Sequence, residues 1–241
     1  MSPRFSVVIP AYNEAKLLPR LLASLDLARQ AYGCADAIEI IVADNQSTDA
    51  TAAIAQAHGC RVVNVEKRVI GAARNAGAAA AIGEVLAFID ADSQAHKDTF
   101  QAIDAALASG RCVAGSTGAT LERWSLGLAL TYASMVPMIW LTGIDTGVVF
   151  CRCDDFLAVG GYDESRLVAE DVMFLVALKR LGRRRRQKLF RLRPVKVIVS
   201  TRKFDEFGDW HYFGLMWHGV KHLLRRGDRE FTDRYWYKPR R

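Results

Sequence analysis

Over its first hundred residues the chain repeats one order: a short β-branched run, a polar loop, then a stretch with helical spacing. Phe5-Ser-Val-Val-Ile-Pro10 reads as a buried strand closed by proline, and Leu17, Leu18, Leu21, Leu22 and Leu25 then recur at the interval of one helix face. Residues 38–43 give a second strand, 44–49 a polar loop and 50–58 a helix, with Asp49 placed to cap its first turn. A strand over 61–65, an alanine-rich helix over 71–82, a strand over 85–89 ending at Asp90-Ala91-Asp92 and a helix over 97–108 complete the series. Strands that alternate with helices pair in parallel through right-handed crossovers. The expectation is an α/β chain with a Rossmann-like, mostly parallel central sheet flanked by helices. With 241 residues, 51% of them apolar, there is enough material for a single compact domain. Beyond residue 110 the rhythm weakens: 112–116 and 147–151 read as strands, 154–159 and 171–181 as helices.

In such sheets ligands bind beyond the carboxyl ends of the strands. The polar clusters at 11–14, 44–49 and 90–92 all follow strand ends, so they should converge on one edge although they are distant in sequence. Asp90 and Asp92, one residue apart after an apolar strand, offer hard oxygen ligands suited to Mg2+ or Mn2+; the alternative is a solvated acidic turn. Asp44 could accept from a nucleoside N–H or a ribose hydroxyl, or close an Asx turn.

Charge is divided unevenly. Residues 1–178 carry 13 basic and 20 acidic side chains, whereas 179–241 carry 20 basic and 6 acidic. The stretch 179–203 alone holds twelve basic residues and no acid, and aromatics follow at Trp210, Trp217 and Tyr235-Trp236-Tyr237. Basic and aromatic residues interleaved in this way suit nucleic acid or an anionic bilayer surface. Residues 124–143 form the longest apolar stretch, read as a buried or interfacial helix pair broken near Pro137 rather than as a span. Five cysteines without CxxC spacing argue against a disulfide framework or a zinc ribbon and favour a reducing, cytoplasmic setting.

Five segments taken together are more specific than any of these features. Val7-Val-Ile-Pro-Ala-Tyr-Asn-Glu14, Asp44-Asn-Gln-Ser-Thr-Asp49, Gly71-Ala-Ala-Arg-Asn75 leading into Phe88-Ile-Asp-Ala-Asp92, Gly160-Gly-Tyr-Asp163 and Glu170-Asp171 stand in the order and spacing of the family 2 glycosyltransferases. The chain resembles that family over roughly residues 5–205. The resemblance implies the GT-A fold and an inverting transfer of one sugar from a nucleotide-diphosphate donor. It also implies a donor pocket at Pro10, Ala11, Tyr12, Glu14 and Asp44, a ribose contact from Asp90, a divalent metal (Mn2+ or Mg2+) on Asp92, and Asp171 as catalytic base. The family's Gln-x-x-Arg-Trp box is absent, which counts against processive synthesis.

Other residues keep two readings. Arg74 could pair with the diphosphate or with the Asp-x-Asp carboxylates, or form a structural salt bridge. Gly160 and Gly161 could let the backbone approach sugar or acceptor, or simply make a tight turn before Asp163. Glu170 and Asp171 could also serve the first turn of a helix. His211 is a candidate third metal ligand, against packing among aromatics. The resulting expectation is a GT-A domain over 1–205, with a nucleotide-sugar half at 1–110 and an acceptor and catalytic half at 111–205. A basic aromatic extension at 206–241 faces the membrane in this reading. The acceptor would be a hydroxyl or phosphate, lipid-linked if the chain works peripherally at the inner face of the cell membrane. The rival enzyme, a nucleotidyltransferase, should carry a Gly-rich loop where Pro10-Ala-Tyr-Asn-Glu14 stands, and a nucleic-acid-binding module would have no need of Asp90, Asp92 or Asp171.

Overall fold

The computed structural model describes residues 2–210 apart from Gly143, Thr146 and Val168. Its first half follows the expected alternation: β1 (Phe5–Ala11), α1 (Leu18–Tyr32), β2 (Ile38–Asp44), α2 (Thr51–Ala57), β3 (Arg61–Asn64), α3 (Ile70–Ala80) and β4 (Val85–Phe88). The second half contains β5 (Ser93–Gln94), α4 (Thr99–Ala108), β6 (Cys112–Leu121), α5 (Leu126–Thr142), β7 (Val149–Arg152), α6 (Cys153–Val159), α7 (Glu170–Arg184), β8 (Lys188–Val199) and α8 (Arg202–Phe207). All eight strands join one sheet in the order β3-β2-β1-β4-β7-β6-β8-β5. The pairs β1 with β2, β1 with β4, β2 with β3 and β6 with β8 are parallel, while β7 runs antiparallel between β4 and β6.

The central strands are mostly apolar because both faces of the sheet are covered, and the Ser6 hydroxyl of β1 is satisfied by Glu39 of β2. Odd-numbered residues of β1 and β4 (Phe5, Val7, Ile9, Val85, Ala87) pack with Leu18, Leu21, Leu22 and Leu25 of α1 and Phe100 and Ile103 of α4. Even-numbered residues (Val8, Leu86, Phe88) point the other way, to Phe174, Leu175 and Leu178 of α7. Each of the larger of these side chains, taken fully out of water, contributes roughly 1.5–3 kcal/mol. A one-residue slip in β1 would exchange these two sets, so the register that aligns Ala11 with Asp44 is fixed by packing on both sides.

Three elements depart from the sequence reading. The basic stretch 179–203 is divided among the end of α7, strand β8 and the start of α8. In the second part of β8, buried Val195 and Val197 alternate with exposed Lys196 and Ile198, the period of a half-buried strand that the run of charge conceals. Pro194 is accommodated where the pairing jumps from Thr117↔Leu192 to Gly118↔Lys196, an irregularity at which a missing N–H costs nothing. The helix pair expected across 124–143 is one helix, α5, which runs through Pro137. Both Pro137 and Ala133 are exposed, so the carbonyl that loses its intrahelical donor can turn to water. Finally, Ala50 rather than Asp49 occupies the N-cap of α2, and the Asp49 carboxylate accepts instead from the Thr51 N–H at 3.0 Å and the Ala15 N–H at 3.2 Å. Among the described residues no helix is long and apolar enough to cross a membrane, and the five cysteines are all free thiols.

Candidate active site

The loops after β1, β2 and β4 meet at the carboxyl edge of the parallel strands, as their spacing required. The first two are stitched together: the Asn13 N–H donates to Ser47 Oγ at 2.9 Å, Asn13 Oδ1 accepts from the Thr48 N–H at 2.7 Å, and the Glu14 N–H donates to Thr51 Oγ1 at 2.8 Å. Asn13 adopts φ 54°, a left-handed conformation that asparagine tolerates better than most side chains and that turns the chain into the loop. Pro10 and Ala11 are the buried last residues of β1, and Tyr12 stacks under the Arg68 guanidinium at 5.2 Å from its ring centre. Asp44 is buried at the end of β2, where its Oδ1 accepts from the Ser47 N–H, three residues on, at 3.4 Å. Next to it, Asn45 Nδ2 donates to the carbonyls of Val65 at 3.0 Å and Lys67 at 2.8 Å, holding the loop after β3.

Helix α3 delivers Arg74 to this edge. Gly77 makes the close approach possible, because a Cβ there would fall 2.4 Å from Val8 Cγ1. The Arg74 side chain is 4% exposed and is ringed by acids: Nη1 lies 2.7 Å from Glu170 Oε1, and Nη2 lies 2.9 Å from Asp90 Oδ1 and 3.0 Å from Asp171 Oδ2. Its guanidinium also faces the ring of Tyr162 at 5.2 Å. Tyr162 in turn stacks on Phe174 at 4.2 Å and meets Phe88 edge-on at 5.1 Å. Of the readings open for Arg74, the structure places it in contact with the first Asp-x-Asp carboxylate.

Glu170 and Asp171 are the first two residues of α7, preceded by Ala169 at φ 57° and without a side-chain cap. A left-handed alanine costs on the order of 1 kcal/mol or more, and here it sets the entry angle that turns both acids toward Arg74. Burial pushes the Asp171 carboxyl up to about 7; Arg74 opposes the rise, and Glu170 and Asp90 add to it. Its Oδ1 is buried with no well-aligned hydrogen bond, and the adjacent Tyr162 phenol favours the ionised carboxylate. Burial also raises the Tyr162 phenol, reinforced by the neighbouring charge of Asp171.

On the other side of the Asp-x-Asp, Arg202 at the start of α8 forks onto both oxygens of Glu14, and its Nε lies 3.0 Å from Asp92 Oδ2. Burial brings the Asp92 carboxyl up to about 6, against the pull of Arg202 and with help from Asp90 and Glu14. The cluster therefore holds five acids, Glu14, Asp90, Asp92, Glu170 and Asp171, around the buried Arg74 and the partly buried Arg202. An excess of hard carboxylate oxygens, with Asp90 half exposed, fits a divalent cation that completes its shell from a bound ligand. A closed protein cage is not what is seen: among the described residues no three His, Cys, Asp or Glu side chains are grouped to hold a metal. His211 lies outside the described residues.

Gly160 and Gly161, at φ 79° and 70°, make the turn that ends α6. A Cβ on Gly161 would fall 2.8 Å from Asn75 Oδ1 and 2.9 Å from Phe156, so the space beside it is filled by protein. Asn75 holds the following segment, its Oδ1 accepting from the Tyr162 N–H at 2.9 Å and its Nδ2 donating to the Tyr162 carbonyl at 2.9 Å. Asn75 and Tyr162 stand inside the quoted motifs, and their position there was the available signal. Arg202 stands in no motif; only the acid excess at the strand ends called for a cation from elsewhere in the chain.

A Rossmann-like half that gathers three strand-end loops, joined through an antiparallel β7 to a second half that supplies a Glu-Asp pair, is the GT-A architecture of nucleotide-sugar transferases. The glycosyl transferase family 2 model matches residues 6–131, and the chain belongs to that family. An uncharacterized glycosyltransferase of Mycobacterium tuberculosis is 39% identical over 87 residues, covering 36% of this chain and 36% of that protein. Validoxylamine A glucosyltransferase of Streptomyces hygroscopicus subsp. jinggangensis is 38% identical over 110 residues, 43% of this chain and 25% of that one. The matches thus span between a quarter and little more than a third of these relatives' own length. Among solved structures, glucosyl-3-phosphoglycerate synthase from Mycobacterium tuberculosis with Mn2+, uridine-diphosphate and phosphoglyceric acid superposes with a TM-score of 0.64 at 21% identity, over 93% of this chain and 78% of that one. A mannosyltransferase from Pyrobaculum calidifontis in complex with GDP-Man and Mn2+ gives 0.63 at 21% identity, over 82% and 57%.

Proposed function

We propose that the chain is an inverting, metal-dependent glycosyltransferase that moves one sugar from a UDP- or GDP-sugar to an acceptor hydroxyl or phosphate. The observation that carries this reading is the single cluster in which Asp90, Arg74, Glu170 and Asp171 meet at the carboxyl edge of the parallel sheet. Residues 1–110 form the donor half: Pro10, Ala11, Tyr12, Glu14 and Asp44 receive the nucleoside, and Asp90 receives the ribose. Residues 111–205 supply the catalytic half, with Gly160, Gly161 and Glu170 bordering the acceptor side. Asp92, together with His211, would hold Mn2+ or Mg2+, which when bound offsets the charge growing on the departing diphosphate.

Asp171 suits the base. Its carboxyl is buried and has its pKa lifted toward neutrality, so it can take a proton from an acceptor hydroxyl near physiological pH. Arg74 keeps one of its oxygens fixed at 3.0 Å, and the neighbouring Tyr162 phenol favours the ionised, proton-accepting form. Attack from the side opposite the leaving diphosphate inverts the anomeric carbon in one displacement.

The acceptor is met at an anionic membrane surface in this proposal, to which the basic, aromatic composition of 206–241 is also suited. Leu126, Leu130, Ala133, Pro137 and Trp140 stand on one exposed stripe of α5, at helical intervals, beside Trp124, and the exposed Arg193 guanidinium lies 4.9 Å from the Trp140 ring centre. That combination of apolar stripe and basic flank supports a lipid-linked acceptor.

A thermal-shift series with UDP- and GDP-sugars in the presence of Mn2+ or Mg2+ tests the core of the proposal, since a ligand of the native state raises its melting temperature. One donor class should shift the transition only with metal, and Asp92→Ala should remove that shift. No shift with any nucleotide-sugar would overturn the assignment.

A further inference from the structure

Arg202 lies 188 residues from Glu14 in sequence yet shares two hydrogen bonds with it. Its two terminal nitrogens satisfy both Glu14 oxygens, whereas its Nε, close enough to Asp92 Oδ2 for an ion pair at 3.0 Å, has no hydrogen-bond partner. The two contacts differ in kind. The fork onto Glu14 is directional and fully made; the contact with Asp92 is electrostatic and can pass to another cation while the fork stays intact. The side chains of Arg202, Glu14 and Asp92 are only 21%, 9% and 19% exposed, so water screens this contact far less than it would on an open surface.

The geometry points to Arg202 as the resident counter-cation of Asp92: anchored by Glu14, it competes with a divalent ion for that carboxylate, so the ion is held well only when a nucleoside diphosphate enters with it. Two cations at one carboxylate repel each other, and the negative charge of the diphosphate relieves that repulsion. Glu14, whose two oxygens both serve that fork, holds the competitor in place as well as bordering the nucleoside pocket. The inference rests on the proposed role of Asp92 as metal ligand and adds an order to it: metal and donor bind together, and metal alone binds weakly.

Mn2+ titrations of the full chain, followed by loss of the free-ion electron paramagnetic resonance signal with and without UDP or GDP, test this without any turnover. Wild type should bind Mn2+ about tenfold more weakly alone than with the nucleotide it accepts. Arg202→Gln should bind Mn2+ alone about tenfold more tightly than wild type, and Arg202→Lys, which keeps the charge, should stay near wild type. Arg202→Ala provides the same comparison if the glutamine variant does not fold. A folded neutral variant with unchanged or weaker Mn2+ binding, alongside loss of binding in Asp92→Asn, would overturn the inference and leave the metal reading standing. Mn2+ binding that Asp92→Asn does not alter, or that is absent in every protein with and without nucleotide, would instead overturn the metal reading itself.

Discussion

Arg74 and Asp171, 97 positions apart in sequence, meet at 3.0 Å in the interior, the first from helix α3 and the second from the first turn of α7. The guanidinium is almost fully enclosed and three carboxylates depend on it. Removing one partner of a buried ionic cluster leaves charge without compensation, a loss of about 3–5 kcal/mol. Arg74→Ala should therefore lower the unfolding free energy measured by urea titration by that much, moving the midpoint down, and Arg74→Lys should recover only part of it because an ammonium cannot fork onto Glu170 and Asp90 together. An unchanged midpoint in Arg74→Ala would show that the acids are compensated elsewhere.

The rise of the Asp171 carboxyl to about 7 fixes a sign for pH. The folded protein binds this proton more tightly than the unfolded chain, so its contribution to stability is complete below about pH 4 and is lost as pH rises through about 7. Asp171→Asn should flatten that decline and melt no lower than wild type at pH 8, while transfer falls by about a thousandfold or more. In wild type, transfer should increase with pH through the same interval. Melting curves at pH 5 and 8 and a pH–rate profile check both directions.

Gly77→Ala forces a Cβ into Val8 at the contact between α3 and β1. Overpacking of this kind costs about 1–3 kcal/mol. Because α3 also carries Arg74, donor binding should weaken in the same variant, and a Val8→Ala second change should restore much of both. Calorimetry of the single and double variants provides the test.

The exposed stripe on α5 makes its own prediction. Flotation with vesicles containing anionic lipid should recover more protein than flotation with neutral vesicles, and Leu130→Ser with Trp140→Ser should reduce the recovered fraction by about tenfold. Equal recovery on both lipids, or on neither, would remove the membrane from the proposal.

The parallel half of the sheet was legible because little there competes with the hydrophobic pattern: apart from Ser6 and Glu39, β1, β2 and β4 are apolar on both faces up to their ends, where loops follow whose residues are polar for chemical reasons. Strand β8 was hidden because lysine and arginine stems can line one side of a strand while their heads reach water, so a strand reads as a run of solvated charge. Arg74 was placed in its motif, but the choice among diphosphate, Asp90 and a structural pair needed Glu170 and Asp171 to be brought to it from 96 and 97 residues away. Arg202 lay beyond any local signal. Its partner Glu14 is buried by the fold itself, and only the assembled sheet shows that a second cation must arrive there.

Helix α7 begins with Glu170 and Asp171 and then buries Phe174, Leu175 and Leu178 against the sheet. The proposed base is thus only a turn away from the ring that stacks on Tyr162 and touches Phe88. Repacking Phe174 would tilt the helix start and with it the reactive carboxylate, so damage to this part of the hydrophobic interior would be recorded first as lost turnover, before any loss of fold could be measured.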